Sequence, residues 1–558
     1  MKDLISRQLV KYLEARGVEH VFGLCGHTNI AVLAELAKSR IKFVNVRHEQ
    51  IAAHMADGYA RAKKRTAVVL SHLGPGLTNA ATGVANAALD SIPMVVFAGD
   101  VPTHYHGKHP HQEVNLHADA AQYEIYRPFV KRAWRVDQPQ LFPEIVEKAF
   151  ALAESGRPGP VLVDVPMDIF SREIAVELFE RLGHNAKSLK KPSLDEETAA
   201  EIVRKLLAAK RPVLYVGGGV LLADATAELR QFVDHLQIPV AHTLMGKGAL
   251  PDDHPFVLGM TGFWGTQFIN DQCRNADWIL ALGTRFSEAD CSSWEREYTF
   301  SFPPTRLMQI DIDPAEIGRN RTPDVGITGD AKAVLAQLIA AGSGRLRPER
   351  RAGWISGLAG EDEEKRAELE KRMSSGATPI HPLRLCKEVR DFLPRGAVLC
   401  VDGQEILNYA RSAIPFYAPH SLNSGPYGCM GVGLPFGLGA KAAMPDALVV
   451  VLHGDGSFGL NAMEMDTALR HRLPVICIIS NNGGWTATDR PKTGRDLGFT
   501  RYDLMFGAIG CHAEYVEDPG QIRPALERAA ASGTPAVVNV ITDPTARAQT
   551  ARYADYST

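Results

Sequence analysis

The segment Ala447 to Asn482, ALVVVLHGDGSFGLNAMEMDTALRHRLPVICIISNN, constrains the fold more than any other stretch. An apolar, β-branched run, Leu448 to Leu452, turns through Gly454-Asp455-Gly456, and Ala462, Met465 and Leu469 then recur at helical spacing. A second apolar run, Val475 to Ile479, follows Pro474. A strand, a helix and a strand of these lengths make a right-handed parallel crossover, which brings the residues after both strands to one edge of the sheet. Asp455 and Asn482 are therefore expected to face one bound ion.

One carboxylate, one amide oxygen and the carbonyl of Gly484 form a hard-oxygen set suited to Mg²⁺, which takes its remaining ligands from water and phosphate. Gly456 and Ser457 open the helix, and free N–H groups at a helix start suit an anion. A Gly-Asp-Gly by itself is an ordinary tight turn. The paired asparagines at the next strand end argue for a metal and a diphosphate instead. These residues resemble the cofactor signature of the thiamine-diphosphate (ThDP) enzymes: Gly-Asp-Gly, a helix and a strand, then Asn-Asn.

At 558 residues, 45% of them hydrophobic, the chain exceeds what one core supports, so two to four domains are expected. A net charge of −3 gives no nucleic-acid signal. No run reaches membrane-spanning length, and the start, MKDLISRQLVKYLEARG, reads as an amphipathic helix rather than a signal peptide. The eight cysteines lack CxxC spacing and read as buried thiols. Cytoplasm is the expected location.

Helices alternate with apolar runs at Phe43 to Val46, Ala67 to Ser71, Met94 to Ala98 and Val161 to Val165, implying a doubly wound parallel sheet over residues 1–185. Within it, TAVVLSHLGPGLTNAATGVANAALDSIPMVVFAGD repeats the pattern of the organising segment: strand, His and glycines, helix, Pro, strand. One fold used twice is expected. A second α/β unit spans 193–343, with strands at Val213 to Val216, Trp278 to Leu282 and Leu307 to Ile312; residues 344–378 read as a linker helix. The third unit spans 379–544, and a basic, aromatic tail, 545–558, follows. The resemblance covers this whole plan, and implies three α/β domains that bind the pyrimidine, a nucleotide-like ligand and the diphosphate, as in the acetolactate synthase and decarboxylase superfamily. It also implies a homodimer or homotetramer with active sites shared between subunits.

Glu49 sits after a strand at a helix start, where a carboxylate is favoured by the macrodipole alone. The resemblance gives it a role, as the glutamate that hydrogen-bonds N1′ of the aminopyrimidine, so that the cofactor's own imino group removes the thiazolium C2 proton. In GPYGCMGVGLPFGLGAK, Met430 resembles the residue wedged between the two rings, and the Gly428 carbonyl the acceptor for the 4′-amine. Gly403 and Gln404, after the run Val398 to Val401, join Gly454, Gly456 and Ser457 as expected diphosphate contacts. The substrate side is drawn from His27, His72 and Gln112: His72 stands where benzoylformate decarboxylase-like chains carry a histidine, and Gln112 where synthase-like chains carry a glutamine. The Gly-His-Thr at 26 to 28 departs from the synthase pattern toward dione-hydrolase relatives.

In the middle unit GMTGFWGT and Gly283-Thr284-Arg285-Phe286 resemble the synthase's flavin segments, but Trp264 replaces a histidine and Ser287-Glu288-Ala289-Asp290 breaks the usual Arg-Phe-Asp-Asp-Arg run. FAD, ADP or an empty cleft all stay open there. Gly217-Gly218-Gly219 after a strand lacks a full GxGxxG and fits a tight turn equally well. The expected chemistry is making or breaking a carbon–carbon bond beside a carbonyl. A 2-hydroxyacyl-CoA lyase is the first expectation, because the glycine-hinged basic loop 483–502 and the tail suggest a lid over an anionic acyl-CoA, with Asp496 as its proton-transfer residue. Acetolactate synthase-like carboligation or 2-keto acid decarboxylation is the alternative. A third reading, a ThDP-binding subunit without catalysis, predicts loss of Glu49, Asp455 or Asn482; all three are present.

Overall fold

The computed structural model describes residues 1–114, 117, 121–182, 190–296, 298–343, 352–417 and 421–548. Their apolar runs form three six-stranded parallel sheets flanked by helices. In the first sheet the strands lie in the order Lys42–Asn45, His20–Gly23, Ala67–Ser71, Met94–Asp100, Pro160–Pro166 and Ala133–Arg135. In the third the order is Ser421–Leu422, Val398–Asp402, Val449–Gly454, Ile476–Asn481, Ala536–Ile541 and His512–Val516. Counted along the chain, both run second, first, third, fourth, sixth, fifth. The repeat seen in the sequence is a repeat of topology.

The middle sheet is built differently: Val257–Met260, Val240–His242, Pro212–Val216, Trp278–Leu282, Arg306–Asp311 and Val325–Thr328. This third, second, first, fourth, fifth, sixth order is that of dinucleotide-binding folds, with its switch point between Pro212–Val216 and Trp278–Leu282. A helix at Ala352–Met373 leads from this sheet to the third. Among the described residues no helix is long and apolar enough to cross a membrane.

The first and third sheets share one core. It is sealed where helix Glu49–Lys63 crosses helix Gly433–Ala443, and the crossing is made of small residues. A Cβ on Gly58 would stand 2.6 Å from Phe436 backbone atoms, and one on Gly439 2.0 Å from the Met55 carbonyl oxygen. Backbone therefore packs on backbone, and Met55, Ala56 and Ala60 are buried against Phe436 and Ala440. At the same seam Arg61 spans two buried acids, Asp57 at 2.6 Å and Asp90 at 2.6 Å, while Asn86 donates to Asp57 at 2.8 Å. Pairing of this kind is what makes a buried charge tolerable.

One expected element divides. The helix after Asp455 is two short helices, Asp455–Asn461 and Glu464–Arg470. Gly459 and Asn461 are weak helix formers, and the Asn461 side chain donates instead to the Gly431 carbonyl at 2.7 Å.

Gly439→Ala forces a methyl into the Met55 carbonyl and is expected to cost about 1–3 kcal/mol. Gly357→Ala, in an open stretch of helix Ala352–Met373 with nothing within 4 Å, is expected to be neutral or stabilising. Guanidinium unfolding midpoints of the two variants check this; equal midpoints would mean the helices separate freely.

Candidate active site

Two groups of residues gather at the carboxyl ends of the repeated sheets. In the third sheet, strands Val449–Gly454 and Ile476–Asn481 are parallel neighbours, with Gly454 opposite Ser480, so Asp455 and Asn482 leave the sheet together. Asp455 is buried, its Oδ2 has no hydrogen-bond partner among the described residues, and burial pushes its carboxyl up to about 6. An acid with an orphaned oxygen is a poor core residue and a good cation ligand. Asn482 donates its Nδ2 to the Thr486 carbonyl at 3.3 Å, which leaves its amide oxygen for a cation. With the Gly484 carbonyl these atoms make one carboxylate and two neutral oxygens, a donor set that fits Mg²⁺.

The loop bearing those ligands is held from within. Arg495, buried, donates to the carbonyls of Asn482 (2.9 Å), Gly483 (3.3 Å), Thr486 (3.1 Å) and Pro544 (3.4 Å). A Cβ on Gly484 would lie 2.3 Å from the Arg495 carbonyl oxygen, so only glycine closes this ring. Trp485 covers Gly456 just as closely, at 2.6 Å from a Cβ there. Arg495, counted from the sequence as part of a basic lid, is thus an internal tie of the metal loop. Asp496 is exposed and ion-pairs with Arg495 at 3.1 Å. Of the tail, Ala548 N–H donates to Glu405 at 3.0 Å, and residues 549–558 lie outside the described residues.

Around the metal loop the sequence-selected residues fall together. Gly403 (φ 115°) brings a Cβ position within 3.1 Å of Gly454 N and 3.3 Å of Ser457 Oγ, and Gln404 beside it is exposed. The Ser457 hydroxyl donates to the carbonyls of Asp402 (3.2 Å) and Gly454 (3.1 Å). Gly428 sits at φ 66° with open space around it, and Met430 is 39% exposed. Met430 is therefore not filling a core. Asn481 points the other way, bonded to Asn539 at 3.1 Å and Thr500 at 3.1 Å.

The second group belongs to the first sheet. Glu49 is buried at the start of its helix and accepts from Asn79 Nδ2 at 3.0 Å, while Gly76 leaves room for its other oxygen. His72 follows strand Ala67–Ser71 and lies 3.0 Å, nitrogen to nitrogen, from His27; burial lowers its pKa. Gln112 (φ 65°) is exposed and presses its carbonyl on Gly74, whose Cβ would come within 1.7 Å. Asn79 and the fully buried Gln122, which accepts from Gly74 N–H at 2.8 Å, were not singled out from sequence. Asn79 had the hint of its place just after the glycine-rich turn; nothing in the sequence marked Gln122.

Residues 5–121 match the N-terminal TPP binding domain of thiamine pyrophosphate enzymes, residues 199–338 their central domain and residues 406–540 their C-terminal TPP binding domain. A probable acetolactate synthase large subunit of Methanocaldococcus jannaschii is 33% identical over 97% of this chain and 92% of its own length. The acetolactate synthase isozyme 3 large subunit of Escherichia coli is 36% identical over 86% of this chain and 82% of its own, and the acetolactate synthase of Arthrospira platensis 34% over 85% and 81%. The chain belongs to the acetolactate synthase superfamily of ThDP-dependent enzymes. The N-terminal TPP binding domain covers the Glu49 group and the C-terminal one the Asp455 group.

A cavity of about 560 Å³ lies apart from both groups, where the three units meet. Arg61 and Asp90 reach it from the first unit, Arg285 and Asp311 from the second, Asn423 and Pro426 from the third. Gly217 and Gly219 donate to the carbonyls of Leu282 (2.9 Å) and Gly283 (3.1 Å), so these glycines serve close backbone packing rather than an open cradle. The Arg285 guanidinium makes no hydrogen bond or ion pair among the described residues, and burial lowers its pKa.

Asp455→Ala is expected to weaken Mg²⁺-dependent ThDP binding by more than about 100-fold, since loss of mere supporting groups at metal sites already costs 10–100-fold. Because burial raises the Asp455 pKa, the folded apo chain holds that proton more tightly than the unfolded chain does, and at neutral pH the ionised form costs stability. The variant without cofactor is therefore expected to unfold at an equal or higher temperature. Calorimetric titration and a thermal melt check both halves; unchanged ThDP affinity places the metal elsewhere.

Proposed function

We propose that the chain is an acetolactate synthase-like carboligase, which decarboxylates one 2-keto acid and joins the remaining fragment to the carbonyl of a second. The observation that carries this is the end-to-end likeness to acetolactate synthase large subunits, spanning 97% of the chain in one case. The reading of a 2-hydroxyacyl-CoA lyase leaned on a lid formed by loop 483–502 and the tail. Its support is weaker now that Arg495 ties that loop into the metal ring.

Bound ThDP supplies the carbon nucleophile. Asp455, Asn482 and Gly484 are proposed to hold Mg²⁺ against the diphosphate, with Gly403, Gln404, Gly454, Gly456 and Ser457 around it. Glu49 is proposed to share a proton with the aminopyrimidine, Gly428 to accept from its amine and Met430 to keep the two rings bent. The first and third sheets carry these groups on separate edges, and we propose a dimer in which the Glu49 edge of one copy faces the Asp455 edge of the other.

The protein loaded with ThDP and Mg²⁺ is expected to consume pyruvate with release of CO₂ and formation of a new carbon–carbon bond, and to leave 2-hydroxyacyl-CoA thioesters intact. Thioester cleavage without pyruvate turnover would reverse the choice.

A second proposal concerns the middle cavity. Its dinucleotide-type strand order, the unpaired Arg285 and Asp311 at a strand end support an adenine nucleotide, as the ADP half of FAD or as ADP itself. The supernatant of heat-denatured protein is expected to contain adenine nucleotide, and its absorbance separates flavin from ADP; nucleotide-free protein of full activity would leave the cavity without this role.

A further inference from the structure

The first sheet contains a directional chain of hydrogen bonds running from buried acids to an exposed histidine. Asp100 and Asp164 are both shut off from solvent. The register sets Ala98 beside Asp164, so Asp100, two residues on, lies on the same face. Gln122, also fully buried, donates from Nε2 to Asp164 Oδ1 at 2.7 Å and to the Gly99 carbonyl at 3.2 Å. A carbonyl can only accept, which fixes the nitrogen end of the amide on that side. Oε1 is left for the Gly74 N–H, at 2.8 Å.

That N–H belongs to the Leu73–Gly74 peptide, whose carbonyl oxygen lies 3.2 Å from His72 Nδ1. The oxygen again can only accept. His72 must therefore carry its hydrogen on Nδ1 and present a bare lone pair at Nε2. His27 Nδ1, 3.0 Å from that lone pair, must be the donor. In the neutral ring the second nitrogen of His27 is then the bare one, on a ring that is exposed. The peptide that turns the chain is itself immobilised, because Gly74 sits at φ 44° with the Gln112 carbonyl pressed against it. Burial lowers the His72 pKa, which keeps its ring neutral.

We propose that Gln122 and Asp164 are positioning residues which, through the Leu73–Gly74 peptide and His72, fix the tautomer of His27 so that its Nε2 is the proton acceptor on the substrate side. His27 Nε2 takes one proton from solvent and gives it to the carbonyl oxygen of the second 2-keto acid as the new carbon–carbon bond forms there, the one proton consumed when two keto-acid anions become CO₂ and one product anion. The tautomer chain stands on the hydrogen bonds alone; the role toward substrate rests on the carboligase reading above.

The test uses full-length protein with ThDP and Mg²⁺, labelled with ¹⁵N in histidine, the two rings being assigned with His27→Asn and His72→Asn. Both rings are expected to be protonated on Nδ1 and bare on Nε2. Gln122→Glu places a carboxylate against Asp164 and is expected to mix the tautomers and lower kcat about 100-fold, the scale of a general acid–base contribution, with ThDP affinity unchanged. Adding Asp164→Asn reverses donor and acceptor at that contact, keeps an acceptor for Gly74, and is expected to restore both readouts. A wild-type His72 protonated on Nε2, or Gln122→Glu with unaltered tautomers and rate, overturns the proposal. The expected tautomers in a protein that ignores pyruvate support the chain and overturn the carboligase reading instead.

Discussion

The crossing of helices Glu49–Lys63 and Gly433–Ala443 fixes where every candidate site residue stands. The first helix begins at Glu49 and the second begins just after Met430, so the approach of their backbones at Gly58 and Gly439 sets these two residues in one frame. A side chain at Gly58 or Gly439 would push the helices apart, and a misplacement of even ~1 Å at a reacting centre is costly. The buried Arg61 between Asp57 and Asp90 adds a polar lock to this apolar contact. Gly425, where a Cβ would lie 2.3 Å from the Asp90 carboxylate, ties the start of the cofactor loop to the same lock.

Buried acids are distributed over the molecule, and their partners separate structural ones from candidate ligands. Burial pushes Asp402 up to about 6, as it does Asp455. Yet Asp402 accepts the Gly433 N–H at 2.8 Å at the start of a helix, and so repays part of its desolvation within the chain. Asp90 has Arg61. Asp455 has backbone contacts at one oxygen and nothing at the other among the described residues. A raised pKa alone would have marked all three; the orphaned oxygen at a sheet edge marks one.

Much of this was legible in the sequence because it is written in local patterns. Runs such as Val449 to Leu452 and Trp278 to Leu282 are the inner strands of their sheets, where burial on both faces demands continuous apolar residues. Edge strands such as Ser421–Leu422 and Val325–Thr328 escaped notice, being short or partly exposed. The Gly-Asp-Gly and Asn-Asn pair fall at one sheet edge because strand order does that work, with Gly454 opposite Ser480. What the sequence concealed were interactions between distant residues. Arg495 looks like one more surface cation in a loop with Arg490, Lys492 and Arg501, and only the fold reveals that its guanidinium is spent on carbonyls. Gln122 carries no motif at all.

The repeated topology also sets two unlike groups on one architecture. A histidine stands at the carboxyl end of the third strand of each sheet, just past it in Ser71-His72-Leu73-Gly74 and next to last in it in Leu452-His453-Gly454-Asp455. His453 is sealed in the core, 3.6 Å from Asp402, with burial driving its pKa to about 3, and the residue two places on supplies the carboxylate. In the first sheet the place of that carboxylate is taken by Gly74, against which the Gln112 carbonyl packs, while the histidine lies 3.0 Å from His27 and Glu49 is buried beside the same turn. The two strand ends thus differ by a glycine where the other has an aspartate: one leaves room for close packing around a histidine pair, the other places a buried carboxylate with an orphaned oxygen at the sheet edge.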